Sequence, residues 1–271
     1  MKKPGQGKTP WRFSIKTPKE NILGYRVDSL NLTACVDSIT DWMKKGKDCR
    51  WLACLNPHSY VVSLNDPLFS KALRNADWLI PDGVGIVWAS RILKGVIRQR
   101  VTGNDVFLEL NARLNRKKGF KVFFLGSSEE ILRAIRSRME RDFPGIRVVG
   151  TYSPPYKPEF TGSELDNMIK AVNRAKPDLL WVGMTAPKQE KFILQSRDKL
   201  KVKFAGAVGA VFDFYSGNVK QAHPFFQKLG FEWLFRLSKE PRRLWYRYLV
   251  NGPIFLWYLL KTRVSSKKIS F

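Results

Sequence analysis

Short apolar segments alternate with longer segments of helical periodicity along most of this chain. Six runs of four to six residues are rich in branched and aromatic side chains, which predicts buried strands at 50–55, 77–80, 120–125, 146–150, 178–183 and 203–208. Between them, apolar residues recur at every third or fourth position, which predicts helices at 66–76, 84–94, 127–141, 161–175 and 187–199. Strands that alternate with helices predict an α/β fold, with a Rossmann-like parallel sheet and helices on both of its faces.

The pattern changes near residue 215. From 215 to 271 no strand pattern continues, and the sequence is rich in Trp, Phe, Arg and Lys, which predicts a basic, aromatic helical appendage that associates with a membrane surface. The alternative is a helix that packs on the core with a solvated basic face. Residues 21–214 form the predicted α/β core. Residues 1–20 are basic and lack an apolar region, so we expect a flexible arm and not a signal peptide.

The most apolar part of the appendage, residues 244–260, is interrupted by Arg247, a glycine and a proline. A helix that crosses a membrane needs about 20 predominantly apolar residues, so we expect this segment to lie on a membrane and not to cross it. Arg236, Arg243 and Arg247 would share one face of an unbroken helix. Pro241 predicts a break after the first of them, which leaves only the last two as expected neighbours.

The charge of the chain narrows the classes of partner. Lysines and arginines number 48 against 23 aspartates and glutamates, which gives a net charge of +25. A surplus of this size predicts attraction to nucleic acid, anionic lipid or phosphorylated substrates. The three cysteines form no C-x-x-C pair and the chain has two histidines. The sequence therefore predicts neither a disulfide framework nor a multi-histidine metal site, and a reducing cytosol fits best.

Polar residues and glycines follow the predicted strands, where open parallel sheets bind their ligands. Asp82 comes shortly after the strand at 77–80 and precedes Gly83. A carboxylate in such a partly desolvated position has a raised pKa, which suits a general base. The alternative, which the residue pattern by itself favours, is that Asp82 is the N-cap of the next helix.

Two further turns connect strands to helices, at Gly126 and at Gly183. The free N–H groups of such helix starts can bind phosphate, although ordinary strand-to-helix turns use the same residues. Ser127 and Glu130 have the spacing of a capping box, which predicts the start of the helix at 127–141.

Several side chains near these turns are candidate ligands for a phosphorylated sugar. Arg100 and the adjacent Lys188 and Gln189 could donate hydrogen bonds to phosphate or hydroxyl groups, or could be solvated surface residues. Asn56 could bind a sugar or start a turn. His58 could be a base, although a single histidine in a loop more often packs or caps.

Common catalytic and nucleotide-binding motifs are absent from the sequence, which has no P-loop, no H-E-x-x-H, no G-x-S-x-G and no D-x-D. Gly83 and Gly85 start a G-x-G-x-x-G pattern, but Trp88 stands where the third glycine belongs and would block close packing of helix and strand. A nicotinamide-dependent oxidoreductase is therefore disfavoured. A non-enzymatic basic α/β module that binds nucleic acid stays open as an alternative, although RNP-type and helix-turn-helix patterns are lacking.

The order of these segments resembles that of the WecG/TagA/CpsF glycosyltransferases. The similar segments are LNPHSYV, ADWLIPDGVGIVWASRIL, RVTGND, FLGSSEE, PGIRVVGTYSPPY, PDLLWVGMTAPKQEKF and the long block from GAVFDFYSG to EPRRLWYRYL, and they extend from about residue 50 to about residue 250. The PDG, SPPY and PKQE blocks and the EWLFRL…EPRRLWYRYL tail make the resemblance specific. Many members have threonine where this sequence has Cys54, whose thiol would orient a base or a sugar more weakly.

The resemblance implies a role for each matching residue. Asp82 would be the catalytic base. The sugar and phosphate site would be lined by Cys54, Asn56, Arg100, Gly103, Asp105, Gly126, Gly183, Lys188 and Gln189. The diphosphate of the acceptor and the membrane surface would be contacted by Arg236, Arg243 and Arg247. The family is metal-independent and inverting, so no metal and no other cofactor is expected, in agreement with the lack of a D-x-D pair.

The resemblance thus implies transfer of a hexose or N-acetylhexosamine-type sugar from a UDP donor to a sugar on polyprenyl diphosphate, in the synthesis of a bacterial surface polysaccharide. We expect a peripheral protein at the cytoplasmic face of the inner membrane. Donor, acceptor and bilayer are all anionic there, so the net charge of +25 would attract each of them to the protein. Nucleic acid is not an expected partner, and assembly into homo-oligomers is left open.

Overall fold

The structure is a computed structural model that describes residues 17–219, 232–239 and 241–268. The strands are β1 (Lys19–Ile22), β2 (Tyr25–Asp28), β3 (Arg50–Leu55), β4 (Trp78–Pro81), β5 (Lys121–Gly126), β6 (Arg147–Tyr152), β7 (Leu179–Gly183) and β8 (Phe204–Ala207). The helices are α1 (Leu32–Lys45), α2 (Pro57–Leu64), α3 (Pro67–Asn75), α4 (Val84–Ile92), α5 (Gly103–Lys117), α6 (Glu129–Asp142), α7 (Gly162–Ala175), α8 (Lys188–Ser196), α9 (Val211–Ser216), α10 (Glu232–Lys239), α11 (Pro241–Trp245) and α12 (Asn251–Lys268). A π-helical turn, Tyr246–Val250, joins α11 to α12.

A six-stranded parallel sheet, in the order β4-β3-β8-β7-β5-β6, forms the centre of the core. Its central strands are apolar along most of their length because both faces of the sheet are buried. Helices α2, α3, α4, α7, α8 and α12 cover one face, and α1, α5, α6 and α9 cover the other. The predicted α/β fold with helices on both faces is therefore confirmed. Strands β1 and β2 form a separate antiparallel hairpin.

The alternation of side chains along β3 shows how the two layers are built. Trp51, Ala53 and Leu55 pack into the layer on one face, whereas Leu52 packs into the layer on the other. Because all six strands run in the same direction, their carboxyl ends lie along one edge of the sheet. This edge collects the turns after β3, β4, β5, β7 and β8, which are the positions where the sequence places its candidate chemistry.

All the predicted strands and helices are present, with bounds that differ by three residues or fewer. The β1–β2 hairpin and helices α1, α2, α5 and α9 had not been predicted. The start of α6 corrects one detail, because Ser128 and not Ser127 is the N-cap and accepts a hydrogen bond from the N–H of Ile131 at 3.3 Å. Ser127 instead has a left-handed φ of 61°. The predicted capping box with Glu130 was wrong because the helix begins one residue later.

Residues 17–20, which had been assigned to the arm, contact the β1–β2 hairpin or belong to it, and the N–H of Ser29 donates to the carbonyl of Pro18 at 3.0 Å. Strand β1 begins at Lys19, and the carboxylate of Glu20 accepts hydrogen bonds from Ser90 Oγ at 2.9 Å and from the N–H of Ile97 at 3.0 Å. Residues 1–16 of the predicted arm lie outside the described part of the chain.

The C-terminal appendage packs against the core through α12. Phe255 and Tyr258 of this helix make edge-to-face contacts with Tyr60 of α2, at ring distances of 5.4 and 5.8 Å. Helix α10 ends at Lys239 and α11 begins at Pro241, and residue 240 between them, where the predicted break falls, lies outside the described residues. Other apolar side chains of the appendage are exposed, namely Leu234, Trp245, Tyr246, Leu249, Leu256, Trp257, Leu260 and Val264. Within the described ranges, none of the helices combines the length and the apolar character needed to cross a membrane.

Candidate active site

A large cavity of about 1350 Å³ opens at the carboxyl edge of the sheet. Its walls come from the segments that follow all six strands of the sheet and from α10, the π-helical turn and α12 of the appendage. Ten of the predicted site residues line it: Cys54, Asn56, Asp82, Arg100, Gly103, Asp105, Gly183, Lys188, Gln189 and Arg247. The side chains of Arg236 and Arg243 lie outside the described part of the structure.

Asp82 lies at the mouth of this cavity, one residue beyond the end of β4. Its N–H donates to the carbonyl of Leu55 at 2.8 Å, which extends the pairing of β3 with β4. Its Oδ2 accepts a hydrogen bond from Asn56 Nδ2 at 3.2 Å. Gly83, with φ 90°, takes the N-cap position of α4 that the residue pattern had favoured for Asp82. The carboxylate is therefore half-buried and faces the cavity, as a general base would have to.

Asn56 connects this carboxylate to the start of α2. Its Oδ1 accepts from the N–H of Ser59 at 2.9 Å, and Ser59 Oγ accepts from the N–H of Asn56 at 2.8 Å, which completes a capping box. The amide nitrogen that this leaves is the group that donates to Asp82. The side chain of Asn56 therefore caps the N-terminus of α2 and also orients the carboxylate of Asp82.

The thiol of Cys54 lies between the backbone at Ala207 and the backbone at Gly103. Its Sγ is 3.8 Å from the carbonyl oxygen of Ala207, and a Cβ placed on Gly103 would lie 3.2 Å from the sulfur. Burial raises the pKa of the Cys54 thiol well above its usual value, and the negative charges of Asp82 and Glu190 raise it further. The thiol is therefore neutral, and both carboxyl groups lie near it.

Gln189 and Glu190 form a buried pair on the first turn of α8. Gln189 Oε1 accepts from the N–H of Met184 at 3.3 Å, and its Nε2 donates to Glu190 Oε1 at 2.8 Å. Glu190 is 2% exposed, and burial raises its pKa to about 7 against the opposing effect of the bond from Gln189. Its Oε2 is buried without a hydrogen-bond partner among the described residues. Sequence reasoning missed Glu190 because an acid in the first turn of a helix is an ordinary stabilising residue.

The glycines at the strand ends have a packing reason. A Cβ on Gly126 would lie 2.5 Å from the carbonyl oxygen of Gly183, and one on Gly183 would lie 2.3 Å from the ring of Phe212. Gly126, which had been expected to bind substrate, is not among the residues that line the cavity, whereas Gly183, with which it pairs, and the following Ser127 and Ser128 are.

Asp105 and Lys188 each have a protein contact besides their place in the lining. Asp105 completes a capping box at the start of α5, where its Oδ2 accepts from the N–H of Thr102 at 3.1 Å. Lys188 Nζ donates to the carbonyl of Lys157 at 3.1 Å and lies 4.9 Å from the ring of the exposed Tyr156. A lysine held in this way is a positive charge at the cavity wall.

The appendage contributes a basic and an apolar part to the cavity. His58 Nδ1 accepts from Asn251 Nδ2 at 2.6 Å, which joins α2 to α12. Burial and the charge of Arg247 lower the pKa of His58 to about 4, so its imidazole is neutral near pH 7. Leu249 and Leu256 of the appendage and Trp88 of α4 line the cavity and are also exposed, at 58%, 47% and 59%.

Two kinds of comparison place this chain among known proteins. The sequence model of the glycosyl transferase WecG/TagA/CpsF family matches residues 20–269. A protein of Bacillus spizizenii (strain ATCC 23059 / NRRL B-14472 / W23), named N-acetylglucosaminyldiphosphoundecaprenol N-acetyl-beta-D-mannosaminyltransferase, is 32% identical over 94% of this chain and 95% of its own length. Proteins of the same name from Bacillus subtilis (strain 168) and Staphylococcus aureus (strain MW2) are 31% and 26% identical, over 88% and 93% of this chain and 89% and 96% of their own lengths.

Proposed function

The chain belongs to the WecG/TagA/CpsF family of glycosyl transferases, and from this premise we propose which sugar it transfers and how. The donor is a UDP-linked N-acetylhexosamine, and the acceptor is a sugar linked to polyprenyl diphosphate. The names of the relatives support an N-acetylhexosamine as the transferred sugar, with N-acetylmannosamine as the first candidate, and a sugar on polyprenyl diphosphate as the acceptor. The observation that carries the proposal is Asp82, oriented by Asn56 at the mouth of a cavity with basic side chains in its wall.

In the proposed reaction Asp82 is the general base. The acceptor hydroxyl oxygen attacks the anomeric carbon of the donor sugar on the face opposite to UDP, and its proton passes to a carboxylate oxygen of Asp82. The new bond between oxygen and the anomeric carbon forms as the bond to the β-phosphate oxygen breaks, and the electron pair leaves with UDP. Attack from the opposite face inverts the anomeric configuration. Asn56 supports this step because its amide donates to Oδ2 of Asp82 and so orients the carboxylate.

The departing UDP carries negative charge that the cavity wall can balance. Arg100 and Lys188 line the cavity. Lys188 is the first residue of α8, so the N-terminus of this helix also lies at the cavity. Fixed positive groups and the positive end of a helix dipole stabilise charge that develops in a transition state. We therefore propose that these groups do the work that a metal ion does in other glycosyl transferases.

The appendage is the proposed site of the acceptor's diphosphate and of membrane contact. Arg247 lines the cavity, and the predicted partners Arg236 and Arg243 belong to the same appendage. Exposed Trp, Tyr and Leu side chains beside basic residues suit the interface of an anionic membrane. The proposed location is therefore the cytoplasmic face of the bacterial membrane, with the protein bound peripherally.

The proposal is tested by turnover of purified protein. UDP-N-acetylmannosamine and UDP-N-acetylglucosamine are supplied with N-acetylglucosaminyl diphosphoryl lipid, and the product is identified by mass spectrometry. We expect Asp82→Asn to lower kcat by about 10²- to 10⁴-fold, the usual contribution of a general base. Asp198→Asn changes an exposed aspartate outside the cavity and is the matched control.

Two results would contradict the proposed mechanism. Full activity of Asp82→Asn would show that Asp82 is not the general base. Loss of activity in EDTA, with recovery when a divalent cation is added, would show that the reaction depends on a metal ion. Absence of product from the wild type with every UDP-sugar tested would refute the proposed donor class. A tight, steeply salt-dependent complex with RNA or DNA would instead favour the alternative of a nucleic-acid-binding module.

A further inference from the structure

Glu190 is a buried acid that the proposed mechanism does not use. It is 2% exposed and contributes to the wall of the cavity. Its Oε1 is engaged by Gln189 Nε2 at 2.8 Å, whereas its Oε2 is buried without a hydrogen-bond partner among the described residues. A buried polar atom without a partner is costly, and in a cavity wall the natural partner is a ligand.

The position of Glu190 relates it to the reaction centre. Glu190, Asp82 and Cys54 all line the cavity, and the negative charge of either acid raises the pKa of the Cys54 thiol. The adjacent Gln189 is held at both ends of its amide, by Met184 and by Glu190. Because Glu190 lines the same cavity as Asp82, the proposed base for a sugar hydroxyl, we assign a sugar and not the uridine to it.

We propose that Glu190 is a further substrate-binding residue, which works as a neutral carboxylic acid whose Oε2–H donates a hydrogen bond to a hydroxyl or acetamido oxygen of a sugar in the cavity. This proposal rests on the proposed function. Oε1 of the same acid remains the acceptor for Gln189, so a single carboxyl group fixes the amide and binds the sugar. A neutral donor avoids adding a second negative charge next to Asp82 and the diphosphate.

The surroundings of Glu190 favour the neutral form. Burial raises the pKa of Glu190. Among the described residues, no cationic side chain lowers this pKa. The charged side chains that line the same cavity are Asp82, Arg100, Asp105, Lys188, Asp213 and Arg247. On the outer side of α8, Lys191 is paired with Asp66 of α3 at 2.6 Å. The alternative is that Glu190 only stabilises the start of α8, where it also contacts its own N–H.

The first experiment detects the proton without any need for turnover. Infrared difference spectra of protein labelled with ¹³C-glutamate are recorded for the wild type, Glu190→Gln and the exposed control Glu140→Gln. We expect a carbonyl band of a protonated acid at about pH 6 that is absent from Glu190→Gln and retained in Glu140→Gln. We also expect it to shift when UDP-N-acetylmannosamine or the lipid-linked acceptor is added. Absence of the band, or a band that responds to neither substrate, would overturn the proposal.

The second experiment measures kcat/KM between about pH 6 and about pH 9. Loss of one hydrogen bond in Glu190→Ala should lower kcat/KM roughly tenfold to a hundredfold. Glu190→Gln keeps the shape and a donor, so we expect a loss of no more than about fivefold that shrinks as the pH rises and the wild-type acid ionises. A raised KM for the UDP-sugar assigns the bond to the donor sugar, and a raised KM for the lipid assigns it to the acceptor sugar.

Two kinetic results would overturn the role of Glu190. One is equal losses in Glu190→Gln and Glu190→Ala at every pH, because the residue would then act as an anion. The other is an unchanged kcat/KM in both variants, because Glu190 would then only stabilise the start of α8 and would not bind substrate. Failure of the proposed function is a different result, since the wild type itself would form no product.

Discussion

Replacing Glu190 with glutamine should stabilise the folded chain, and by more as the pH rises. The pKa of Glu190 is about 7 in the folded protein, against 4.5 for an unburied glutamate, chiefly because the group is buried. Between these two pH values the folded state keeps a proton that the unfolded state has already released. The free energy of unfolding of the wild type therefore falls as the pH rises through this window. Glutamine does not titrate, so the variant avoids this loss.

The size of the effect follows from the difference between the two pKa values. A rise from 4.5 to about 7 corresponds to about 3 kcal/mol of destabilisation once Glu190 is fully ionised, at 1.36 kcal/mol for each pH unit. Roughly 2 to 3 kcal/mol of this appears between about pH 5 and about pH 8. For a chain of this size, the difference in melting temperature between variant and wild type should grow by roughly 5 °C over that range.

The assay is urea unfolding of wild type and Glu190→Gln, followed by tryptophan fluorescence at several pH values. Only the difference between the two proteins is used, so other titrating groups cancel. Glu140→Gln makes the same chemical change at an exposed position of α6 and should give a pH-independent difference within about 0.5 kcal/mol. A constant difference for Glu190→Gln across the pH range would refute the reasoning, because it would mean that Glu190 titrates alike in the folded and unfolded states.

Three further predictions follow from other contacts. Asn56→Ala should cost about 1 kcal/mol of stability and also lower kcat, whereas Asn31→Ala, which removes the cap of α1, should cost stability only; urea unfolding and turnover separate the two. Gly183→Ala should destabilise the fold by about 1–3 kcal/mol because its Cβ would meet Phe212, whereas Gly162→Ala meets nothing within 4 Å and should not; melting curves that agree for the two variants would refute this. Trp257→Glu with Leu260→Glu should abolish sedimentation with anionic vesicles at an unchanged melting temperature, whereas the exposed Leu108→Glu of α5 should sediment like the wild type.

The sheet was predictable because its strands are buried on both faces. A run such as Leu179–Gly183 must be apolar at every position, and that pattern is visible in one dimension. Helix α2 was missed because it follows β3 without a break, so Pro57 and Asn56 look like an isolated turn. The β1–β2 hairpin was missed because its strands, KENI and YRVD, are interrupted by charged residues and contain no apolar run.

The candidate site was predictable as a set of positions but not as a set of contacts. The carboxyl ends of parallel strands meet at one edge, so the sequence could locate Asp82 and Gln189 near a common site. The hydrogen bond between Asn56 and Asp82 depends on the strand register that pairs Leu55 with Pro81. This register cannot be predicted from the sequence of either strand alone. Glu190 could not be singled out because its burial is a property of the packed layer.

The apolar rim of the cavity has a kinetic consequence under the proposed function. Trp88, Leu249 and Leu256 line the opening and remain exposed, so lipid can surround the entrance while the sheet stays in water. A water-insoluble acceptor would then arrive by lateral diffusion in two dimensions, without leaving its leaflet. Turnover would follow the number of acceptor molecules per unit area of bilayer, and diluting them with inert phospholipid would slow the reaction at constant total concentration.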